Sequence, residues 1–375
     1  MVLRELLSAM AALRPEWQWH VVVNSQVLGL LPHRANTQYV HYPRIDQSGW
    51  RVSLWYETGL PVLLGRLGAD LLFSHTNYLP LVYRPCQSLL LIQHAGHFSA
   101  LFRQLTEARL SGWLQRLYWR LKSRWVRASV KRADCVTVQT HALAECIIEQ
   151  TAVRSERVRV ISHGLGQVGL QATPHAPLSM GEKLRVGFIT LPGVQKNFSV
   201  LFRAAALLKA AGSDISLVMT LAPHLQESEE VFDLARQLDV FDCIENHGAL
   251  MAVEVAELYT SLDVFVFPSL CESFGFPMVE AMASGIPLLI ADTLSNIEVA
   301  GEGGVAFPAQ DAEALFSEIL RLRDDPDWYQ QCAQASLKRA AELRWDDSAV
   351  QTVALIEELL SIGEFSNQAQ EIHGR

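Results

Sequence analysis

The chain has 375 residues, half of them hydrophobic, and a formal net charge of −9. That length exceeds what one core fills, so two domains are expected. The negative balance argues against nucleic acid as the main partner, because phosphate neutralisation needs a basic face. Cys86, Cys135, Cys146, Cys243, Cys271 and Cys332 form no CxxC pair, and no histidine joins them at ligand spacing. They read as reduced core residues of a cytoplasmic protein with no metal site. The apolar stretch 59–73 is broken by Arg66 and Asp70, and no run reaches the roughly 18–20 residues a spanning helix needs. The expectation is a protein with no signal peptide, at most peripheral on the inner face of a membrane.

In chain order, an amphipathic helix over 1–13 is followed by Pro15 and a strand at 19–23. A doubly wound domain ordinarily opens with a strand and a glycine-rich turn that feed its first helix, and this sequence has neither. The opening strand is central in the usual order, so its loss leaves a hole in the sheet. The start therefore reads as truncated or mis-started, the alternative being a divergent domain that pairs its strands differently. Further strands are expected at 88–93, 135–138 and 157–161. Between them lies a basic stretch, 103–132, in which nine Lys and Arg face one acid, Glu107, with Trp113, Leu114, Leu117, Tyr118 and Trp125 interleaved at helical spacing. A basic helix bearing aromatics suits an anionic membrane surface; an ordinary helix pair with solvated arginines is the competing reading.

Glycines and prolines without apolar period mark a linker over 166–182. Beyond it, strands are expected at 185–190, 215–221, 263–267 and 286–291, and helices at 199–211, 253–261 and 311–323. Most strands are continuous aliphatic runs, as in sheets covered on both faces. Alternating strands and helices predict α/β architecture, two Rossmann-like doubly wound parallel-sheet domains facing across a cleft, with ligands beyond the carboxyl ends of the strands. The domains are placed at 1–165 and 183–345, followed by a helix at 348–360 and a fraying tail from 363.

The segment 267–285, FPSLCESFGFPMVEAMASG, carries the chemistry. A strand ends at Phe267, Pro277 takes a first helical position and Gly285 stops the helix. Gly275–Phe276 thus marks a helix N-terminus at the mouth of a sheet, an anion site by its dipole and free N–H groups. Glu272 and Glu280 beside it are badly placed for phosphate but well placed to accept hydrogen bonds from sugar and ribose hydroxyls. The segment resembles the donor-binding signature of family 4 (group 1) glycosyltransferases of the GT-B fold. The resemblance implies that Glu280 binds the ribose, Glu272 faces the transferred sugar, and the backbone at Phe274, Gly275 and Phe276 approaches sugar and diphosphate.

Lys196, in PGVQKNF at 192–198, takes the place of that family's lysine at a strand-to-helix turn, where it can neutralise a diphosphate. The family usually adds an arginine just before it, and none lies between Val186 and Gln195. Other similarities are Tyr259 leading into 263–268, like the family's wall beside the base, Glu298 in the loop after the donor helix, and Trp345 before a last helix that returns to the first domain. In the first half Asp134 and His163 resemble structural landmarks. His94, in the loop 93–98, is the preferred acceptor-side catalytic residue and His97 the spare.

The resemblance implies a retaining, metal-independent hexosyltransferase. It uses a nucleotide-diphosphate sugar and no cofactor, and its acceptor is a glycan or lipid-linked. An epimerase or hydrolase on the same fold, and a non-catalytic sugar-nucleotide-binding protein, stay open as alternatives.

Overall fold

The computed structural model describes residues 1–29, 31–42, 49–165 and 183–373, so the linker expected over 166–182 lies outside the described residues. Two compact units are present: Met1–Phe98 and Leu110–Gly166 with Arg344–Arg375, and Ser99–Arg109 with Gln167–Leu343.

The first unit contains α1 (Val2–Leu13), β1 (Trp19–Val23), α2 (Ser25–Leu28), β2 (Thr37–His41), α3 (Gly49–Leu67), β3 (Leu71–Ser74) and β4 (Gln87–Leu91). Helix α4 (Ala100–Arg109) falls in the second unit; α5 (Trp113–Arg132), β5 (Cys135–Val138), α6 (His141–Thr151) and β6 (Val158–Val160) return to the first. β1 and β2 form a two-stranded parallel sheet and β3-β4-β5-β6 a four-stranded parallel one. Among the described residues no ladder joins the two sheets. Helix α3 covers both instead: buried Trp55, Tyr56, Leu60 and Leu64 pack with Val22 of β1 and Leu72 of β3. The apolar run at 59–73 therefore divides into the end of α3 and the strand β3.

The second unit runs β7 (Leu184–Phe188), α7 (Phe198–Ala210), β8 (Ile215–Met219), α8 (Gln226–Gln237), β9 (Ile244–Asn246), α9 (Ala252–Tyr259) and β10 (Val264–Phe267). It continues through α10 (Phe276–Ala283), β11 (Leu288–Ala291), α11 (Leu294–Ala300), β12 (Val305–Phe307), α12 (Ala312–Asp324) and α13 (Pro326–Glu342). Its six parallel strands lie in the order β12-β11-β10-β7-β8-β9. β8, β10 and β11 are buried at every position, as continuous aliphatic runs require. The chain builds outward from β7 to β9, then restarts on the other side with β10. The crevice between β7 and β10 is thus the topological switch point, where an open parallel sheet binds its ligands.

Helix α14 (Trp345–His373) belongs to the first unit and packs on α1. Arg14 pairs with Glu357, and Ser348 Oγ donates to the carbonyl of Ser162. The helix continues to His373, past Gly363, where the sequence suggested a fraying tail.

Candidate active site

Two loops meet at the switch point, 189–197 after β7 and 268–275 after β10. Leu270 N–H donates to the Gln195 carbonyl at 2.8 Å and joins them. Lys196 sits at the end of the first loop, in a turn closed by its own N–H on the Gly193 carbonyl. Asn197 follows in left-handed conformation, and its amide donates to the Ala309 carbonyl beyond β12. Phe198 then buries against Phe188, starting α7. The lysine is thus held by its neighbours on both sides. Its Nζ donates to Glu272 Oε1 at 2.6 Å, and the two side chains are only 12% and 16% exposed. Neither residue is a solvated loop side chain.

Gly275 enters α10 with φ of +82° and no side-chain cap. That left-handed φ favours glycine, and a Cβ there would stand 3.2 Å from the Phe267 ring and displace the Met278 methyl 2.6 Å away. Lys196 Nζ lies 5.6 Å from the centre of the same Phe267 ring. A cation and an uncapped helix N-terminus therefore flank one aromatic side chain, which suits an anion. Phe274 is buried with its ring against Phe276, leaving backbone as what this stretch can offer a ligand.

Glu280 lies in the first turns of α10. Tyr259 Oη donates to its Oε2 at 3.0 Å. Burial raises the Glu280 carboxyl above its usual range, and the tyrosine bond opposes that shift. Burial and the adjacent carboxylate push the Tyr259 phenol well above its own, so it stays a donor. Tyr259 is fully buried. It is a clamp on Glu280, and periodicity alone gave no signal of that contact. A second unanticipated residue is Asn296, buried in α11, whose amide donates to the Ser269 and Ala291 carbonyls and ties the ends of β10 and β11. Glu298 contributes its backbone carbonyl to Arg339. Arg185, in the strand that feeds the Lys196 loop, is committed elsewhere: its guanidinium holds Glu245 at 2.7 and 2.9 Å. Glu245, also bonded by Ser216 and His247, is depressed to about 2, mainly by that arginine.

In the first unit, His94 is exposed and its Nδ1 accepts the Gly96 N–H at 3.2 Å, capping a turn after β4. His97 is buried, stacked on Trp119 at 4.9 Å and bonded to Ser123. Burial, with neighbouring positive charge, pushes His97 down to about 3. It anchors the turn to α5. Asp134 accepts from the N–H and hydroxyl of Ser88 and from Arg84, fastening β4 beside β5. His163 is buried against Trp345, 5.0 Å between rings, and burial pushes it to about 3. Within 103–132, Trp119 and Trp125 turn inward, Trp125 stacking on Tyr78 at 4.2 Å, while Trp113, Leu114, Leu117, Tyr118 and Leu121 are exposed.

The family described as Glycosyl transferases group 1 matches residues 182–339, and that described as Glycosyltransferase Family 4 matches residues 1–165. The chain belongs to the group 1, family 4 glycosyltransferases. This glycosyltransferase is 29% identical over 259 residues to MMP alpha-(1->4)-mannosyltransferase of Mycolicibacterium hassiacum, covering 65% of this chain and 61% of that one. The curated relatives it matches are spanned over a quarter to about three-fifths of their own length. In fold the glycosyltransferase is similar to sucrose-phosphate synthase from Thermosynechococcus elongatus, with a TM-score of 0.73 at 20% identity over 96% of this chain and 93% of that one. It is also similar to Anabaena Alr3699/HepE, solved in complex with UDP-glucose, with a TM-score of 0.68 at 16% identity over 94% and 95%. These likenesses establish the GT-B fold, two α/β domains with parallel sheets, as the sequence led us to expect.

Proposed function

We propose that this glycosyltransferase moves a hexose-type sugar from a nucleotide-diphosphate sugar to a glycan or lipid-linked acceptor, with retention at the anomeric carbon. The observation that carries the proposal is the Lys196–Glu272 pair at the switch point, 2.6 Å apart and largely buried beside the uncapped start of α10. As the donor bond breaks, C1 gains positive charge and the diphosphate gains negative charge. Lys196 and the α10 N-terminus stabilise the leaving group, where preorganised charge is usually the largest catalytic contribution. Glu272 orients the sugar. Glu280, clamped by Tyr259, accepts the ribose hydroxyls, and the backbone of Phe274, Gly275 and Phe276 approaches the diphosphate. No carboxylate is assigned as a nucleophile, so the acceptor attacks on the face the diphosphate leaves, and the departing phosphate takes its proton. His94 serves the acceptor side.

The domains are proposed at 1–165 and 183–345, with 346–375 bracing the first. The mannosyltransferase among the relatives puts a mannose donor first in any panel, and the complex of the Anabaena protein adds UDP-glucose. The setting proposed is cytoplasmic, on the inner face of a membrane that carries the acceptor.

The test is nucleotide diphosphate release across a panel of nucleotide sugars, with Glu272→Ala and Glu280→Ala alongside. Full transfer by Glu272→Ala sinks the assigned roles. One observation favours a second reading, a protein that binds sugar nucleotide without transferring it: Arg185 is held by Glu245 and lends Lys196 no help. Binding of donor by isothermal calorimetry without any turnover is the outcome that selects it.

A further inference from the structure

Helix α5 has two apolar faces, and only one of them is buried. Its inward face, with Trp119, Ser123, Val126 and Val130, holds His97 and closes the core of the first unit. At roughly 100° per residue, Trp113, Leu114, Leu117, Tyr118 and Leu121 fall in one sector nearly opposite that face. They are 72%, 61%, 45%, 55% and 53% exposed. Five large apolar side chains side by side on one exposed helix face are an interaction surface, not scattered surface hydrophobics.

The charges around this stripe identify what covers it. Arg116, Arg120 and Arg124 repeat every fourth residue along one border, and Lys122 stands on the other. No Asp or Glu lies anywhere between Trp113 and Arg132, in a chain whose net charge is −9. A partner must therefore be apolar at its centre, anionic at its edges and tolerant of indole and phenol at the boundary. Arg132 falls in the same sector at the far end of the helix and lines an open depression with Val82 and Tyr83, themselves 78% and 62% exposed. The surface therefore continues along the helix.

We propose that the outward face of α5 docks the protein on an anionic lipid bilayer. The stripe enters the boundary between headgroups and acyl chains, and the arginines lie against lipid phosphates. This deepens the transfer reading by naming where a lipid-linked acceptor is met, and it is tested apart from catalysis.

The experiment is flotation of the full chain with vesicles of phosphatidylcholine alone or doped with phosphatidylglycerol. It compares the wild type, a stripe variant (Leu114→Ser, Leu117→Ser, Leu121→Ser) and a charge variant (Arg116→Gln, Arg120→Gln, Arg124→Gln). The wild type is expected to float with the anionic vesicles only, and less so at high salt. The charge variant should lose on the order of 100-fold in partitioning, at about a factor of five per arginine. The stripe variant should stay in solution, and both variants should keep wild-type nucleotide release with a water-soluble acceptor. Failure of the wild type to float, or flotation of the stripe variant equal to wild type, overturns the proposal. So does a stable wild-type dimer that the stripe variant dissolves, because the face is then a protein interface. Flotation without nucleotide release in any form retains the docking surface and removes the transfer reading instead.

Discussion

Lys196 and Glu272, 76 positions apart in sequence, form a 2.6 Å ion pair with side chains 12% and 16% exposed. Each is assigned to a different part of the donor, yet without donor they neutralise each other. The pair keeps two largely buried charges satisfied, and donor binding must exchange it for diphosphate and sugar hydroxyls. Lys196→Met therefore removes leaving-group charge and leaves Glu272 alone where anionic diphosphate must approach. We expect kcat to fall by about 10²–10³, the usual cost of losing one preorganised donor, and donor affinity to fall with it. Steady-state release of nucleotide diphosphate checks this, and a variant within twofold of wild type removes Lys196 from the mechanism.

Tyr259 and Glu280 give a prediction about pH. The tyrosine bond lowers the carboxyl that burial raises. With Tyr259→Phe the bond goes and burial stays, so Glu280 keeps its proton to higher pH. A protonated carboxyl is a poorer acceptor for ribose hydroxyls. The acidic limb of kcat/KM should move to higher pH, with KM for donor raised on that limb and kcat at the alkaline plateau little changed. Superimposable profiles for the variant and wild type contradict the clamp.

The site was readable in parts. Gly275, Pro277 and Gly285 punctuate the chain so plainly that the α10 N-terminus and the places of Glu272 and Glu280 follow from local rules, and Lys196 follows from its strand-to-helix turn. The contact between Lys196 and Glu272 is tertiary, set by strand order, and no local pattern encodes it. Tyr259 stands out in the sequence only by leading into 263–268, and its bond to Glu280 is a tertiary contact that no local pattern encodes. His94 and His97 share one short loop, and only the Trp119 stack separates a buried anchor from an exposed cap. In the fold, the long aliphatic strands were legible. β9 and β12 are three residues long and β2 half-exposed, too short or too mixed to show a period, and β3 was hidden in one apolar run with the end of α3.

His97 contributes to the acid sensitivity of the first unit, alongside buried His163 and His75. Its ring is held at about 3, below the ordinary value of 6.5, chiefly by burial. The unfolded chain takes up a proton near 6.5 and the native ring does not until about 3, so stability falls with pH across that window. His97→Phe keeps a ring on Trp119 and removes the titration, at about 1 kcal/mol for the lost Ser123 bond at neutral pH. Urea midpoints followed by tryptophan fluorescence from pH 7 to 4 should decline less steeply in the variant. Equal slopes mean that His97 does not set the acid limit.

Gly164 fixes the start of α14. A Cβ there would stand 2.1 Å from the Trp345 backbone nitrogen and 2.5 Å from the Arg344 carbonyl carbon. Both are backbone atoms that no rotamer change can move away. Gly164→Ala must push the first turn of α14 outward, loosening the Trp345 ring on His163 and the Ser348 bond to Ser162. Overpacking of this kind costs about 1–3 kcal/mol, and here the neighbours are rigid, so the upper end is expected. The loss belongs to the first unit, because α14 packs there on α1. A lowered unfolding midpoint together with faster proteolysis within 345–362 is the expected result. A midpoint unchanged from wild type shows that the chain on either side of Gly164 yields more easily than close packing around Trp345 implies.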